Sequence, residues 1–265
     1  MERLENGNTL ILMEKQVRVP EISKEPIAEN FIIEVNPQGE IVWEWYTTEH
    51  FDEFGYSDEA KRLMYQRGRD IFHTNTLSVL PANELEKVDS RFAKGNILSC
   101  QRNTNLIFII DKETGEVVWR WGDGKGQLVG PHHPVMLHNG NILIFDNGGQ
   151  AGYPPRVRFY TRLIEINPLT GEIVWQYAHE PNYFKPMCKF FSPSWESVQR
   201  LPNCNTFSLD PHKGRIFEVT PWGEIVWEYI NPFTWGGERW WSNRGYTGPI
   251  DTATTRFRRP IRITN

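Results

Sequence analysis

A five-residue pattern, Gly-Glu-(Ile/Val)-Val-Trp, occurs four times in the 265-residue chain and constrains its fold more than any other feature. The copies occupy residues 39–43, 115–119, 171–175 and 223–227. A β-branched apolar run precedes each copy, and a short turn ending in Gly joins the run to the motif. Because Gly readily adopts positive φ, such turns are typical of hairpins. Each copy therefore predicts two antiparallel strands.

A second turn motif lies upstream of each apolar run. It reads Asn-Gly-Asn at residues 6–8 and 139–141, Lys-Gly-Asn at residues 94–96, and Asn-Cys-Asn at residues 203–205. Asn-Gly between apolar runs is the strongest short hairpin signal. Cys204 occupies the Gly position in the last copy, so we expect a strained turn there or a turn of another type.

Two hairpins in a constant order predict four antiparallel strands in each repeating unit. The Trp-to-Trp spacings of 76, 56 and 52 residues suit blades with variable loops, so we predict an all-β protein, a β-propeller of four-stranded antiparallel blades. A β-sandwich would not repeat two turn motifs in the same order four times. Four repeats are clear, and five or six blades remain open.

We predict a single propeller domain over residues 1–265, in which residues 231–265 form an irregular C-terminal segment. The predicted blade units are about residues 4–46, 72–122, 131–178 and 194–230. The long first spacing predicts a short helix capped by Ser57 and a polar loop at residues 82–94. Residues 178–195, rich in Pro and aromatic residues, predict a further surface loop.

Composition argues against nucleic-acid and membrane partners. The formal net charge is −4, so no global field attracts polyanions, and the basic residues 256–259 fit a solvated tail. No apolar run reaches 18 residues, which argues against a membrane span. The N-terminus shows no signal region, so the chain as given would stay where it is made. A periplasmic location would require a missing N-terminal segment.

Two residue groups predict a site where strands of the second unit end. His73 precedes the first strand of that unit, and Arg102 ends the second strand. Because these strands are antiparallel, both residues should meet at one edge of the blade. Imidazole and guanidinium groups suit an anion with several oxygens, such as sulfate, phosphate or carboxylate. Asn75 and Asn103, next to these residues, are candidates for substrate contacts.

The third unit repeats this arrangement with different residues. His132 and His133 precede its first strand, and Asp146 and Asn147 end its second strand. A lone His before a strand is more often a packing residue, but several such groups on adjacent blades favour a site modestly. The two His residues with Asp146 are also an alternative metal site, although adjacent His residues seldom reach one ion. We predict neither a metal nor a cofactor.

Three loop aromatics, Tyr153, Trp195 and Trp235, are candidates for an aromatic wall around a ligand. Packing alone explains them equally well. The predicted partner is therefore a small anionic or aromatic molecule, and a homo-oligomer stays open.

Several of these segments resemble the arylsulfotransferase family of bacterial β-propellers over about residues 4–232. They are Phe-His-Thr-Asn-Thr at residues 72–76, Arg102, Pro-His-His at residues 131–133, residues 137–149, and the two recurring turn motifs. Other propellers of the pyrroloquinoline-quinone-like type share the repeats. The His–Arg–His order is more specific to this family.

The resemblance implies transfer of a sulfuryl group from one phenol ester to another phenol, through a sulfated histidine and without a nucleotide donor. It implies that His132 or His133 is the transient carrier, and that His73 and Arg102 hold the sulfuryl oxygens. The family usually has six blades. The chain would then be an N-terminally truncated relative, or a ring that closes differently, and whether two chains complete one ring stays open.

Three functions remain open at this point. The first is sulfuryl transfer between phenols. The second is a His-dependent lyase or hydrolase that uses His73 and His132 as acid and base on the same scaffold. The third is a propeller that binds a ligand without catalysis.

Overall fold

The strands of the chain form four separate four-stranded antiparallel sheets, each ordered from first strand to last. The structure is a computed structural model and describes residues 1–122, 127–179 and 190–231. The four sheets are the blades of a β-propeller fold, which confirms the fold predicted from the repeats. Each Asn-Gly-Asn-type turn joins the first two strands of a blade, and each Gly-Glu motif opens the fourth strand, as predicted.

The blades differ mainly in the length of their strands. Blade one contains β1 (Glu2–Arg3), β2 (Thr9–Val17), β3 (Ile27–Val35) and β4 (Ile41–Tyr46). Blade two contains β5 (Thr74–Val79), β6 (Ile97–Gln101), β7 (Leu106–Ile110) and β8 (Val117–Trp121). Blade three contains β9 (Pro131–Met136), β10 (Ile142–Asp146), β11 (Arg162–Ile166) and β12 (Ile173–Ala178). Blade four contains β13 (Ser197–Arg200), β14 (Thr206–Asp210), β15 (Arg215–Val219) and β16 (Ile225–Ile230).

By compactness the chain divides into residues 1–198 and residues 199–265. The first unit contains the first three blades, and the boundary falls inside β13. The single domain therefore stays a prediction. The predicted irregular segment, from residue 232 onward, and part of the predicted loop at residues 178–195 lie outside the described residues.

One helix follows blade one, as the sequence predicts. This helix, α1 (Asp58–Arg67), begins where the Ser57 Oγ accepts a hydrogen bond from the Ala60 amide, and Gly68 follows its end. Short 3₁₀ segments occur at Thr47–His50, Ser90–Phe92 and Pro211–Lys213. No helix in the described ranges is long and apolar enough to cross a membrane.

The Gly of the repeated motif has a structural reason in every blade. Its φ lies between +73° and +89° in all four copies, a left-handed backbone that Gly adopts without a Cβ clash. The strand pairing then shifts by one residue at the Val three positions later, which is a bulge. The motif is therefore a turn and bulge signal as well as a strand signal.

A carboxylate, buried in blades one and three and half-buried in blade four, ties the first turn of these blades to their third strand. In each case the second Asn of the turn donates from Nδ2 to a Glu Oε1 at 2.6 Å. The groups are Asn6 and Asn8 with Glu34, Asn139 and Asn141 with Glu165, and Asn203 and Asn205 with Glu218. Blade two has Lys94 in the place of the first Asn and Ile109 in the place of the Glu, and its second Asn, Asn96, donates instead to the Ser90 and Arg91 carbonyls.

The turn at Cys204 confirms the expected strain. The Cys204 amide donates to the Leu201 carbonyl at 2.9 Å, just as the Gly140 amide donates to the Leu137 carbonyl. The turn is therefore of the same kind, but a side chain now stands at φ +66°. L-residues with a Cβ pay for this conformation in stability.

Indole groups join consecutive blades of the first unit. Trp45 Nε1 of blade one donates to the Gly115 carbonyl of blade two at 2.8 Å. In the same way Trp121 Nε1 of blade two donates to the Gly171 carbonyl of blade three at 3.1 Å. Trp119 lies in the buried core between blades two and three, whereas Trp227 of the last repeat is exposed. Blades one and two thus each meet their successor at the Gly of that successor's repeat motif.

Candidate functional site

His132 is the most enclosed of the predicted site residues that carry an imidazole. It lies in β9, opposite Phe145 of β10, and is only 5% exposed. Its Nδ1 lies 2.7 Å from the Asn147 Oδ1 and 3.2 Å from the Gly130 carbonyl. Both neighbours are acceptors, so Nδ1 carries the proton and Nε2 keeps its lone pair.

The orientation of the Asn147 amide is fixed from its other side. The Asn147 Nδ2 donates to the Ser192 carbonyl at 2.8 Å and to the Glu196 carboxylate. The Glu196 side chain is fully buried, and its Oε2 lies 3.9 Å from the His132 Nδ1. The Asn147 Oδ1 must therefore point at His132. The buried Glu196 carboxylate thus orients Asn147, and Asn147 in turn fixes the tautomer of the His132 imidazole.

Burial lowers the pKa of His132 to about 4, and the nearby charges of Arg102 and His73 act in the same direction. The hydrogen bonds to Asn147 and Gly130 oppose this shift but do not cancel it. The ring is therefore neutral near pH 7. No residue in the described part of the chain forms a hydrogen bond with the His132 Nε2. A neutral imidazole with one free nitrogen can act as a nucleophile or as a base.

His133 points elsewhere, because β9 is irregular between His132 and Val135. Its Nδ1 lies between the carbonyl and the amide of Val198, at 3.0 Å and 3.2 Å. Its amide donates to the Thr76 Oγ1, and its φ is +47°. Burial lowers the pKa of His133 as well. The structure therefore separates the two adjacent His residues, and the ring of His133 contacts backbone.

The ends of β5 and β6 meet, as the strand argument predicts. The Arg102 amide donates to the His73 carbonyl at 3.1 Å. Asp70 holds His73 through two contacts, because its carboxylate accepts hydrogen bonds from the His73 amide and from Nδ1. Burial of Asp70 works against its charge, but the hydrogen bonds from His73 hold the pKa of Asp70 below its ordinary value. The His73 side chain remains 42% exposed.

Arg102 connects the two halves of the site. Burial lowers the pKa of Arg102, against the opposing charges of Glu196 and Asp70. Its Cγ lies beside Gly130, 3.9 Å from where a Cβ would stand, and the Gly130 carbonyl is also a contact of His132. Arg102 and His132 therefore border the same backbone residue. The charges of Arg102 and His73 both oppose protonation of His132.

The other predicted substrate contacts have intramolecular partners. Asn75 donates to the Pro131 carbonyl, and Asn103 donates to the Asp70 carbonyl and accepts from Arg102 Nη1. Asp146 is fully buried, and its carboxylate accepts hydrogen bonds from Arg158, from Arg162 and from the Val129 amide. The carboxylate of Asp146 is therefore paired with Arg158 and Arg162.

Two of the three loop aromatics differ in their surroundings, and the third, Trp235, lies outside the described residues. The Tyr153 hydroxyl donates to the Ile71 carbonyl and accepts from Arg67 Nη1, both at 3.0 Å. Burial raises the pKa of Tyr153 to about 12. Trp195 is 65% exposed at φ +69°. Tyr153 thus packs beside the Asp70 segment, and Trp195 lies next to the buried Glu196 in sequence.

Sequence reasoning missed two carboxylates of the site. Asp70 stands three residues before His73, a spacing that allows a side-chain contact in a tight turn. Glu196 lies just before β13 and belongs to neither repeated motif, so no pattern singled it out. Within the described ranges, no group of three His, Cys, Asp or Glu side chains is arranged to hold a metal ion.

Three solved structures show distant similarity to the chain. A protein of unknown function from Bacteroides caccae is 16% identical, with a TM-score of 0.42, over 75% of this chain and 53% of its own. A streptogramin B lyase is 14% identical, with a TM-score of 0.42, over 84% and 59%. The virginiamycin B lyase of Staphylococcus aureus is 15% identical, with a TM-score of 0.41, over 84% and 61%.

These similarities are too distant to carry an inference about function, and the chain spans only 53% to 61% of the length of these structures. A search of curated proteins returned no match. The family model described as arylsulfotransferase (ASST) matches residues 4–232, which is most of the chain. The chain therefore belongs to the arylsulfotransferase family and is a sulfotransferase-like β-propeller.

Proposed function

We propose that the chain transfers a sulfuryl group from an aryl sulfate ester to a phenolic acceptor, with His132 as the transient carrier. The observation that carries this proposal is the free Nε2 of a buried, neutral imidazole whose Nδ1 is held by Asn147. His133 is a poorer candidate, because its ring lies against the Val198 backbone. Membership of the family supports the same chemistry.

In the first step the His132 Nε2 attacks the sulfur of the aryl sulfate. An N–S bond forms while the S–O bond to the aryl group breaks, and the phenolate leaves with the electron pair. In the second step the oxygen of the acceptor phenol attacks the same sulfur, the N–S bond breaks, and His132 is restored. The acceptor phenol loses one proton and the released phenolate takes up one proton, so the overall reaction releases no net proton.

The buried partners of His132 suit the charge that develops on its ring. Nδ1 keeps its proton during transfer, so the sulfated imidazole is cationic while its sulfonate is anionic. Asn147 accepts a hydrogen bond from that ring, and the Glu196 carboxylate lies 3.9 Å from Nδ1. A fixed negative charge behind the ring stabilises the carrier state without rearrangement.

Arg102 and His73 suit the sulfuryl oxygens. Sulfuryl transfer, like phosphoryl transfer, spreads charge over equatorial oxygens, and preorganised cations stabilise it. Arg102 supplies a permanent charge beside Gly130 and His132. His73 is held by Asp70 through Nδ1, so its Nε2 remains for a substrate oxygen or for the phenol proton.

The test is an assay with 4-nitrophenyl sulfate as donor and phenol as acceptor, following both nitrophenolate and phenyl sulfate. We expect His132→Ala to abolish transfer and His138→Ala, a change at an exposed turn residue, to leave it intact. Mass spectrometry of the protein incubated with donor alone should find one sulfuryl group on the peptide that contains His132.

Other outcomes would identify another function. Nitrophenolate without a sulfated acceptor would indicate hydrolysis on the same scaffold. Saturable binding of the donor without turnover would indicate a ligand-binding propeller. Transfer that survives His132→Ala would contradict the proposed carrier.

A further inference from the structure

A cavity of about 800 Å³ lies beside Asp70, on the side of blade one and helix α1. Its wall includes Gln16 of β2, Lys24 before β3, and Gln66 and Arg67 at the end of α1. The proposed transfer uses none of these four residues. A cavity of this volume has room for part of an aromatic ligand.

Positive charge dominates the wall of this cavity. Lys24, Arg67 and Arg69 contribute three cations, and within the described residues Lys24 and Arg69 form no ion pair. The hydrogen bond of Arg67 goes to the neutral Tyr153 hydroxyl. The two acidic residues in the wall, Glu25 and Asp70, oppose these three cations, so the wall keeps an excess of positive charge. The Asp70 carboxylate also accepts hydrogen bonds from His73.

The backbone holds two of these cations in a fixed turn. Gly68 and Arg69 both have left-handed conformations, with φ of +60° and +59°. The Arg69 amide donates to the Pro26 carbonyl at 2.8 Å, and the Arg69 carbonyl accepts from the Ala28 amide at 2.9 Å. A residue with a Cβ adopts this φ at a cost, so the surrounding contacts must enforce it. Arg67 and Arg69 therefore flank a rigid turn.

The cavity adjoins the proposed transfer site through Asp70. The Asp70 carboxylate holds His73 and also lines the cavity. The charge of Arg67 adds to the burial that lowers the pKa of Arg102, so Arg67 lies within electrostatic range of the transfer site. The guanidinium of Arg67 lies 5.5 Å from the centre of the Tyr153 ring, which provides an aromatic surface between the two regions.

We propose that this cavity is a subsite for a second anionic substituent, such as a carboxylate, on the aromatic substrate. The proposal rests on the proposed function for the position of the substrate's phenolic end. Lys24 and Arg69 supply positive charge that no carboxylate of the described residues pairs with, while Gln16 and Gln66 supply amide donors for the remaining oxygens. The preferred substrates are therefore phenols and aryl sulfates that carry an acidic group, and neutral phenols bind more weakly.

Binding without turnover tests the subsite separately from the chemistry. Calorimetry on the full chain, with no sulfate donor present, compares 4-hydroxybenzoate and 3-(4-hydroxyphenyl)propanoate with their primary amides. We expect at least one acid to bind about tenfold more tightly than its amide, because charged hydrogen bonds are stronger than neutral ones. Arg69→Gln should remove this difference, and raised salt should reduce it.

Arg62→Gln is the matched control, since Arg62 is an exposed residue of α1 outside the cavity wall and its loss changes the net charge equally. It should leave the preference for the acid intact. Equal binding of acids and amides, or equal effects of Arg69→Gln and Arg62→Gln, would overturn the subsite even if transfer occurs. If the protein prefers acids to amides through Arg69 but shows no transfer activity, the subsite is supported and the proposed function is contradicted.

Discussion

The Nδ1 of His132 lies 2.7 Å from the Oδ1 of Asn147, and this contact decides which ring nitrogen keeps its lone pair. Asn147 has no freedom to rotate, because its Nδ2 donates to the Ser192 carbonyl and to Glu196. Asn147, held by Glu196, therefore determines that Nε2 is the nucleophilic nitrogen of His132 in the proposed reaction.

Replacement of Asn147 by Leu should allow the His132 ring to adopt both neutral tautomers. We expect transfer to fall about 10- to 100-fold, the usual cost of losing a partner that orients a histidine. The ¹⁵N spectrum of the His132 ring should then show both tautomers, a change that a merely structural role would not produce. Glu196→Gln keeps an acceptor for Asn147 and should retain the single tautomer, with a smaller loss of rate. Unchanged spectra for Asn147→Leu would remove Asn147 from the mechanism.

Acidification should destabilise the fold through His132. Its pKa is about 4 in the folded protein and about 6.5 as a free side chain, so the unfolded chain binds the proton more readily. Stability is fully present above pH 6.5 and is lost as the pH falls towards 4, by at most about 3 kcal/mol. The lowered pKa of His133 acts in the same direction.

Urea unfolding at pH 7 and pH 4.5 measures this effect. His132→Gln should reduce the difference in stability between the two pH values, whereas His138→Gln at an exposed turn should not. An identical pH dependence in wild type and His132→Gln would show that His132 does not titrate as described.

His133 should matter for stability and not for transfer. His133→Asn removes the ring from Val198 but keeps a residue that tolerates φ +47°, so we expect a loss of about 1–2 kcal/mol in unfolding free energy. The rate of transfer by the folded protein should stay within about twofold, a change of about 0.4 kcal/mol in the barrier. His133→Ala adds backbone strain and should be less stable than His133→Asn. A loss of transfer as large as that of His132→Ala would move the carrier to His133.

Cys204→Gly should stabilise the protein. Cys204 holds φ +66° in a turn where the three other blades carry Gly, so removing its side chain relieves about 1 kcal/mol of strain. The midpoint of urea unfolding should rise. Cys204→Ser, which removes the thiol and keeps the strained Cβ, serves as the control and should not raise it.

The blades could be predicted because their signals are local. Gly39 and its three counterparts mark a turn and bulge that only a few residues determine, and the period of two in the flanking runs marks the strands. The meeting of His73 with Arg102 followed from antiparallel pairing alone. The same reasoning could not choose between His132 and His133, because both stand at the same strand end.

The rest of the site depends on contacts between distant parts of the chain. Glu196 reaches Asn147 across 49 positions, from a segment that carries no repeat motif. No sequence period reports such a contact. The burial that lowers the pKa of His132 is likewise a property of the assembled blades, and composition does not reveal it.

The two indole contacts between blades of the first unit run in one direction along the chain. Trp45 reaches the turn of the second blade and Trp121 the turn of the third, so the second blade brings one donor for its successor and one carbonyl for its predecessor. A gene duplication that copies the second blade would therefore supply a ready-made junction at both of its ends. Proteins built this way can gain or lose complete blades during evolution without inventing a new interface, whereas a cut inside a blade would leave a donor and an acceptor stranded.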